Sequence, residues 1–137
     1  MPSTADVLDL LASEFGARIG VDCLTEAARW GHDAMIDHLV EEYGVDPNKS
    51  DGYEGCTALH YAAMSGRVRT VMHLTEQHKV VIHKRNVDGE TALDQADKWG
   101  RTECADYLHE LTYTQLLAGE YRGDIDVDLF FSAEARR

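Results

Sequence analysis

The sequence predicts an all-α solenoid of about three helix-turn-helix repeats, joined by hairpin loops and covered at each end by an extra helix. Three observations carry this. Gly31, Gly66 and Gly100 recur at intervals of 35 and 34 residues. Four columns of apolar or small residues keep register with them. Leu24, Leu59 and Leu93 lie seven residues before the glycine, and Ala27, Ala62 and Ala96 four before it. Ile36, Val71 and Ala105 lie five after it, and Leu39, Leu74 and Leu108 eight after it. Finally, the tight-turn pairs Asp51–Gly52 and Asp88–Gly89 stand between the units. Self-similarity at this period marks units that bury an apolar face only by stacking on one another.

Each unit opens with a short helix. Asp22, Thr57 and Thr91 share one column and are expected N-caps, accepting hydrogen bonds from orphan backbone N–H groups. The helix runs from the column leucine to the glycine, which supplies a left-handed residue at the turn. A second helix follows. Met35, Ile36, Leu39 and Val40 form its buried stripe in the first unit, and Val68, Val71, Met72 and Leu74 in the second. The stretches Tyr43 to Gly55 and His78 to Glu90 connect the units, with Val80, Val81 and Ile82 adding extended character.

The ends differ from the middle. Val7, Leu8, Leu11, Ala12 and Phe15 fall at helical spacing and predict a helix covering the exposed start of the stack. "LTYTQLLAGEY", Leu111 to Tyr121, continues or follows the last helix. The expected divisions are 1–20 for the cap, 21–51, 52–86 and 87–111 for the repeats, and 112–137 for a C-terminal helix and acidic tail. In that tail Asp124, Asp126 and Asp128 alternate with Ile125, Val127 and Leu129. A calcium loop fits poorly, because Leu129 stands where glycine is needed and Ala135 where the bidentate glutamate is needed. A loosely ordered terminus is expected, with docking onto a partner as the alternative.

Composition narrows function. Twenty-five acids against thirteen bases give a net charge of −12. Such a chain repels phosphate backbones and suits a partner with a basic patch, or simply stays soluble. No apolar stretch is long enough to cross a membrane, and the acidic start does not read as a signal peptide. Cys23, Cys56 and Cys104 are an odd number without a CxxC pair, so free thiols in a reducing compartment are expected. The expected localisation is cytoplasmic, with the nucleus left open.

"GCTALHYAAMSGRVRTVMHL" and "GETALDQADKWGRTECADYL" resemble ankyrin repeats, over roughly Val21 to Leu111. Gly55, Thr57, Leu59, His60, Ala62, Ala63 and Gly66 follow that family's order. Ala58 and Ala92 replace its proline, and Asp94 stands where His60 stands one repeat earlier, changes expected to weaken local rigidity. The resemblance implies that His60 is structural, bonding neighbouring backbone. It also implies a protein-binding adaptor or regulatory module without catalysis, meeting partners at the hairpin tips and the exposed side of the first helices. By position these are Tyr53, Glu54 and Cys56 in the second repeat and Val87, Asp88 and Glu90 in the third. The first helices contribute Arg29 with Trp30, Met64 with Ser65, and Lys98 with Trp99. Aromatics, Met and Arg are enriched in interface cores. No cofactor is expected, and a monomer is the default.

No nucleophile elbow, phosphate loop or HExxH occurs. His38 and Glu42 sit at i, i+4 without a third ligand nearby. His73, His78 and His83 are five apart, which on a helix puts them on different faces and argues against shared ligation. A scaffold segment of a larger protein and a histidine-based metal protein remain the alternatives.

Overall fold

The computed structural model describes residues 20–119. The expected N-terminal helix and the Asp124–Asp128 segment lie outside the described residues. Six helices follow in order: α1 Val21–Arg29, α2 Asp33–Glu41, α3 Ala58–Met64, α4 Val68–Glu76, α5 Ala92–Lys98 and α6 Thr102–Ala118. They pair as α1–α2, α3–α4 and α5–α6, and the first helices of successive pairs pack side by side, α1 on α3 and α3 on α5. α6 has 17 residues, because the segment after Leu111 continues the helix without a break until Gly119 turns left-handed at φ 70°. Among the described residues no helix is long and apolar enough to cross a membrane.

The repeat columns become the core. Leu24, Ile36, Leu39, Leu59, Leu74, Val71 and Leu108 are buried, and Ala27, Ala62 and Ala96 let neighbouring first helices approach closely. Met72 departs from the expected stripe. It is exposed, since its neighbour Val71 takes the inward-facing position. Val80 and Ile82 turn inward while Val81 faces out, an extended alternation that joins no strand among the described residues.

The caps are partly as expected. Thr57 caps α3, accepting from the His60 N–H while the His60 ring accepts the Thr57 N–H. Thr91 caps α5 in the same way, with the Asp94 carboxylate accepting the Thr91 N–H at 3.0 Å. At the cap, Asp94 takes the place of the histidine, because a side-chain acceptor three residues in closes the box. Asp22 is not a cap. α1 begins at Val21, two residues earlier than a cap at Asp22 would start it, after the extended Gly20, so Asp22 lies inside the first turn and favours the helix dipole instead.

Polar links stitch the pairs together. Neutral His60 uses both ring nitrogens: Nδ1 accepts from Thr57, and Nε2 donates to the Glu90 carbonyl of the next repeat at 2.9 Å. Burial pushes its pKa down, which favours this neutral form. Thr70 donates to Asp33 at 2.7 Å, Thr75 pairs with Tyr107 at 2.8 Å, and Asn48 accepts the Val81 N–H at 2.7 Å. The arginines that follow Gly66 and Gly100 each reach back one repeat. Arg67 Nε donates to the Arg29 carbonyl, and Arg101 Nε to the Met64 carbonyl, at 3.2 and 3.0 Å. These carbonyls sit at first-helix C-termini, where intrahelical partners run out.

The same arginines explain two of the turn glycines beyond their φ near +73°. A Cβ at Gly66 would stand 3.1 Å from Arg101 Cδ, and one at Gly31 would stand 3.2 Å from Arg67 Cδ. At Gly100, whose φ is +69°, a Cβ would meet nothing within 4 Å. Gly66→Ala should therefore destabilise more than Gly100→Ala. Both lose roughly 1–2 kcal/mol to left-handed strain, and Gly66→Ala loses about 1 kcal/mol more as Arg101 is displaced. Urea denaturation should show the excess vanish when Arg101→Ala is added.

Burial also sets a pH dependence. It pushes the His83 imidazole down from 6.5 to about 4. The unfolded chain takes up this proton as pH falls through 6.5, while the folded chain resists until about pH 4. Stability is therefore full above 6.5 and declines as pH falls through this window, by up to ~3 kcal/mol from His83 and further from His60. Denaturation midpoints measured across this range should fall with pH, and His83→Gln should flatten the slope.

Candidate protein-interaction surface

The hairpin tips are built around one side-chain acceptor each. Asp51 Oδ1 accepts from the N–H groups of Tyr53, Glu54, Gly55 and Cys56, at 3.0–3.3 Å. The Tyr61 hydroxyl donates to the other carboxylate oxygen. Burial pushes the Asp51 carboxyl up, but these hydrogen bonds outweigh it and hold it below the usual range. Tyr61 is pushed far above a normal phenol by burial and by Asp51. In the next repeat Asn86 Oδ1 accepts from Asp88 and Glu90, each at 3.0 Å. A backbone bond from Val87 N–H to the Glu54 carbonyl, 2.9 Å, ties the two tips together. Tyr53 and Val87 consequently stand out at 80% and 71% exposure.

The expected site residues divide. Tyr53, Glu54, Val87, Asp88, Lys98, Trp30 and Trp99 are exposed; Arg29, Met64, Ser65 and Glu90 are partly so. Cys56 is fully buried and cannot meet a partner. Its position is where the tip dives into α3, so the thiol turns inward and receives the Asn86 amide N–H at 3.6 Å. Burial pushes this thiol up and leaves it poorly nucleophilic. Glu90 is paired with Lys98 at 3.6 Å. Met64 and Ser65 close α3, and the Met64 carbonyl is the seat of Arg101.

Trp30 and Trp99 occupy equivalent C-cap positions with nearly identical backbone angles. Each indole N–H donates to the residue four earlier, Glu26 or Gln95, at 3.2 Å. More than half of each side chain's surface stays open: 58% for Trp30 and 54% for Trp99. The rings are thus held in place yet available.

Beside Trp30 runs a groove of about 440 Å³ between α1, Tyr61 of α3 and the first tip. Its lining includes Asp22, Thr25, Glu26, Arg29, Asp51, Tyr53 and Glu54. Four carboxylates face one guanidinium. Arg29 is itself engaged, lying 4.8 Å above the Tyr61 ring and 3.4 Å from Glu26. The groove brings together Arg29, Tyr53 and Glu54 and reaches Trp30 through Glu26. It also recruits Asp22, Glu26, Asp51 and Tyr61, which the repeat pattern does not place in the site. The i, i+4 spacings Asp22–Glu26–Trp30 were the available signal.

The histidines behave differently from their spacing. His38 packs edge-on to Tyr43, with centroids 5.4 Å apart. His73 and His78 do not face apart: both Nε2 atoms lie 2.6 Å from Asp37 Oδ1. α4 ends at Glu76, so His78 sits in the reversing turn and folds back beside His73.

Stacked helix pairs with presented tips and an open groove define a helical-repeat module for protein interaction. The chain belongs to the ankyrin repeat family, whose model, ankyrin repeats in three copies, matches residues 5–116. Alpha-latrocrustotoxin-Lt1a of Latrodectus tredecimguttatus is 30% identical over 113 residues, 78% of this chain and 8% of the toxin. A chain in the solved structure of the Bd0816 predatory endopeptidase from Bdellovibrio bacteriovorus in complex with immunity protein Bd3460 is also similar. It is 35% identical with a TM-score of 0.59, over 64% of this chain and 45% of that one. This chain therefore spans less than half the length of either relative.

Asp51 and Glu54 should separate support from display. Asp51→Ala strands four N–H groups and should cost about 2–4 kcal/mol in denaturant melts. Glu54→Ala, on the exposed rim, should stay within about 0.5 kcal/mol.

Proposed function

We propose that this chain is an adaptor or regulatory module that holds a partner protein along the groove side of the stack and performs no catalysis of its own. The observation that carries the reading is the acidic groove of Asp22, Glu26, Asp51 and Glu54 flanked by exposed Trp30 and Tyr53. Carboxylates fixed in a concave surface attract a lysine- or arginine-bearing segment and speed its encounter. Exposed aromatic anchors beside them supply the apolar contact that typically dominates binding energy. Trp99, Val87, Asp88 and Lys98 extend the same surface toward the third repeat. The Bdellovibrio relative, a chain from a two-protein complex, supports the protein-binding part of the reading.

A second reading, a repeat segment serving a larger scaffold, is favoured by the toxin match, where the similar stretch is 8% of a much longer protein.

The test compares partner capture from native lysate by the unmodified chain and by variants of verified helicity. Trp30→Ala with Trp99→Ala should lose the captured protein, and Glu26→Lys with Glu54→Lys should lose it while weakening its salt dependence. Asp106→Asn, on the exposed side of α6, should retain it. Retention by both groove variants would defeat the assignment.

A further inference from the structure

On the second-helix side of the stack, away from the groove, we infer that Asp37, His73 and His78 form a site for a divalent transition-metal ion of the zinc class. Asp37 lies on α2 of the first repeat, and His73 lies on α4 of the second. His78 arrives from the turn after α4. One ligand atom from each residue falls within a 4.8 Å cluster. The Nε2 atoms of both rings point at the same carboxylate oxygen, 2.6 Å away. The rings are 5.3 Å apart and inclined at 73°, so they converge on a point and do not stack.

Two imidazoles and a carboxylate are the donor set that zinc takes at open three-ligand sites. With bonds of about 2.0–2.1 Å, the edge of a zinc tetrahedron is about 3.3 Å. Each nitrogen must therefore retreat by roughly 0.7 Å from Asp37, a movement that small side-chain rotations supply. Asp37 is ready as an anion. Burial pushes its carboxyl up, but hydrogen bonds and charge from the two histidines outweigh this and hold it below the usual range. On binding, the ion takes the place of the Nε2 hydrogen on each ring: a neutral ring passes that proton to Nδ1 by exchange with solvent, and a doubly protonated ring releases it to solvent, so each ring ligates as the Nδ1–H tautomer. His78 is nearly buried, whereas the Asp37 side chain is 36% exposed, so entry and a fourth, water-bearing position lie on the Asp37 side. The ion clasps the first repeat to the second and binds only when they are stacked, so it stabilises the fold by mass action.

The experiment uses the full chain, free of any affinity tag and stripped with a chelator. Zinc chloride titrated by calorimetry near neutral pH should bind at one equivalent and raise the thermal midpoint. His73→Gln and His78→Gln should each weaken binding by at least about tenfold, while His38→Gln leaves it unchanged. Absence of stoichiometric binding, or tight binding that survives in folded His73→Gln and His78→Gln, overturns the proposal. Should either variant fail to fold, the imidazole nitrogen signals of the unmodified chain decide. Zinc should shift those of His73 and His78, and shifts confined to other histidines overturn it.

Discussion

A helix of seven residues cannot satisfy most of its own backbone, and that shortage governs this molecule. α3 and α5 are both this short, so nearly every N–H at their starts and every carbonyl at their ends needs a partner from elsewhere. The starts are closed locally by Thr57 with His60 and by Thr91 with Asp94. The ends of α1 and α3 are closed by the arginine of the following repeat. His60 serves both needs at once, because a neutral imidazole offers one acceptor and one donor on opposite sides. At the ends of α1 and α3, capping and stacking are therefore the same event: each is completed by the repeat that follows. Hydrophobic burial by the leucine columns supplies most of the driving force, but the polar links set the register.

The proposed interaction surface inherits its rigidity from this arrangement. Asp51 is buried, holds the tip through four backbone groups and is anchored in turn by Tyr61 of α3. Side chains that project from such a tip lose little freedom when a partner arrives, which lowers the entropic cost of binding. The negative potential of the groove and its shape thus come partly from the same carboxylate. The tryptophans follow the same logic. Each ring is steadied by an i−4 hydrogen bond and still leaves most of its surface to solvent.

The repeat was legible because the stacked columns demand small or apolar residues at fixed intervals. Leu24, Leu59, Ala62 and Leu74 could hardly be anything else. Chemistry with several solutions was less legible. Asp94 looked like a missing histidine, yet the cap asks only for an acceptor. Asp22 shared a column with two caps, but the glycine before α1 lets the helix start early. Cys56 was one residue beyond an exposed tip, and a single step of chain turned it inward. The spacing of His73 and His78 separates them only on a helix that continues past Glu76, where α4 ends. Five residues of α-helix rotate a side chain by about 140° from its start, but the helix ends between them and Lys79, with φ 49°, reverses the chain. Pairings between repeats, such as Arg101 with the Met64 carbonyl, carry no local pattern that a single repeat displays.

The arginine links all run one way. The donor always belongs to the later repeat and the acceptor to the earlier one. During synthesis the earlier repeat emerges first, with its carbonyl still facing water, and waits for an arginine that has not yet been made. Each unit is thus finished by its successor, and the stack closes in the order in which the ribosome delivers it. A chain halted after the second repeat would leave the Met64 carbonyl without Arg101, and the His60 ring without the Glu90 carbonyl.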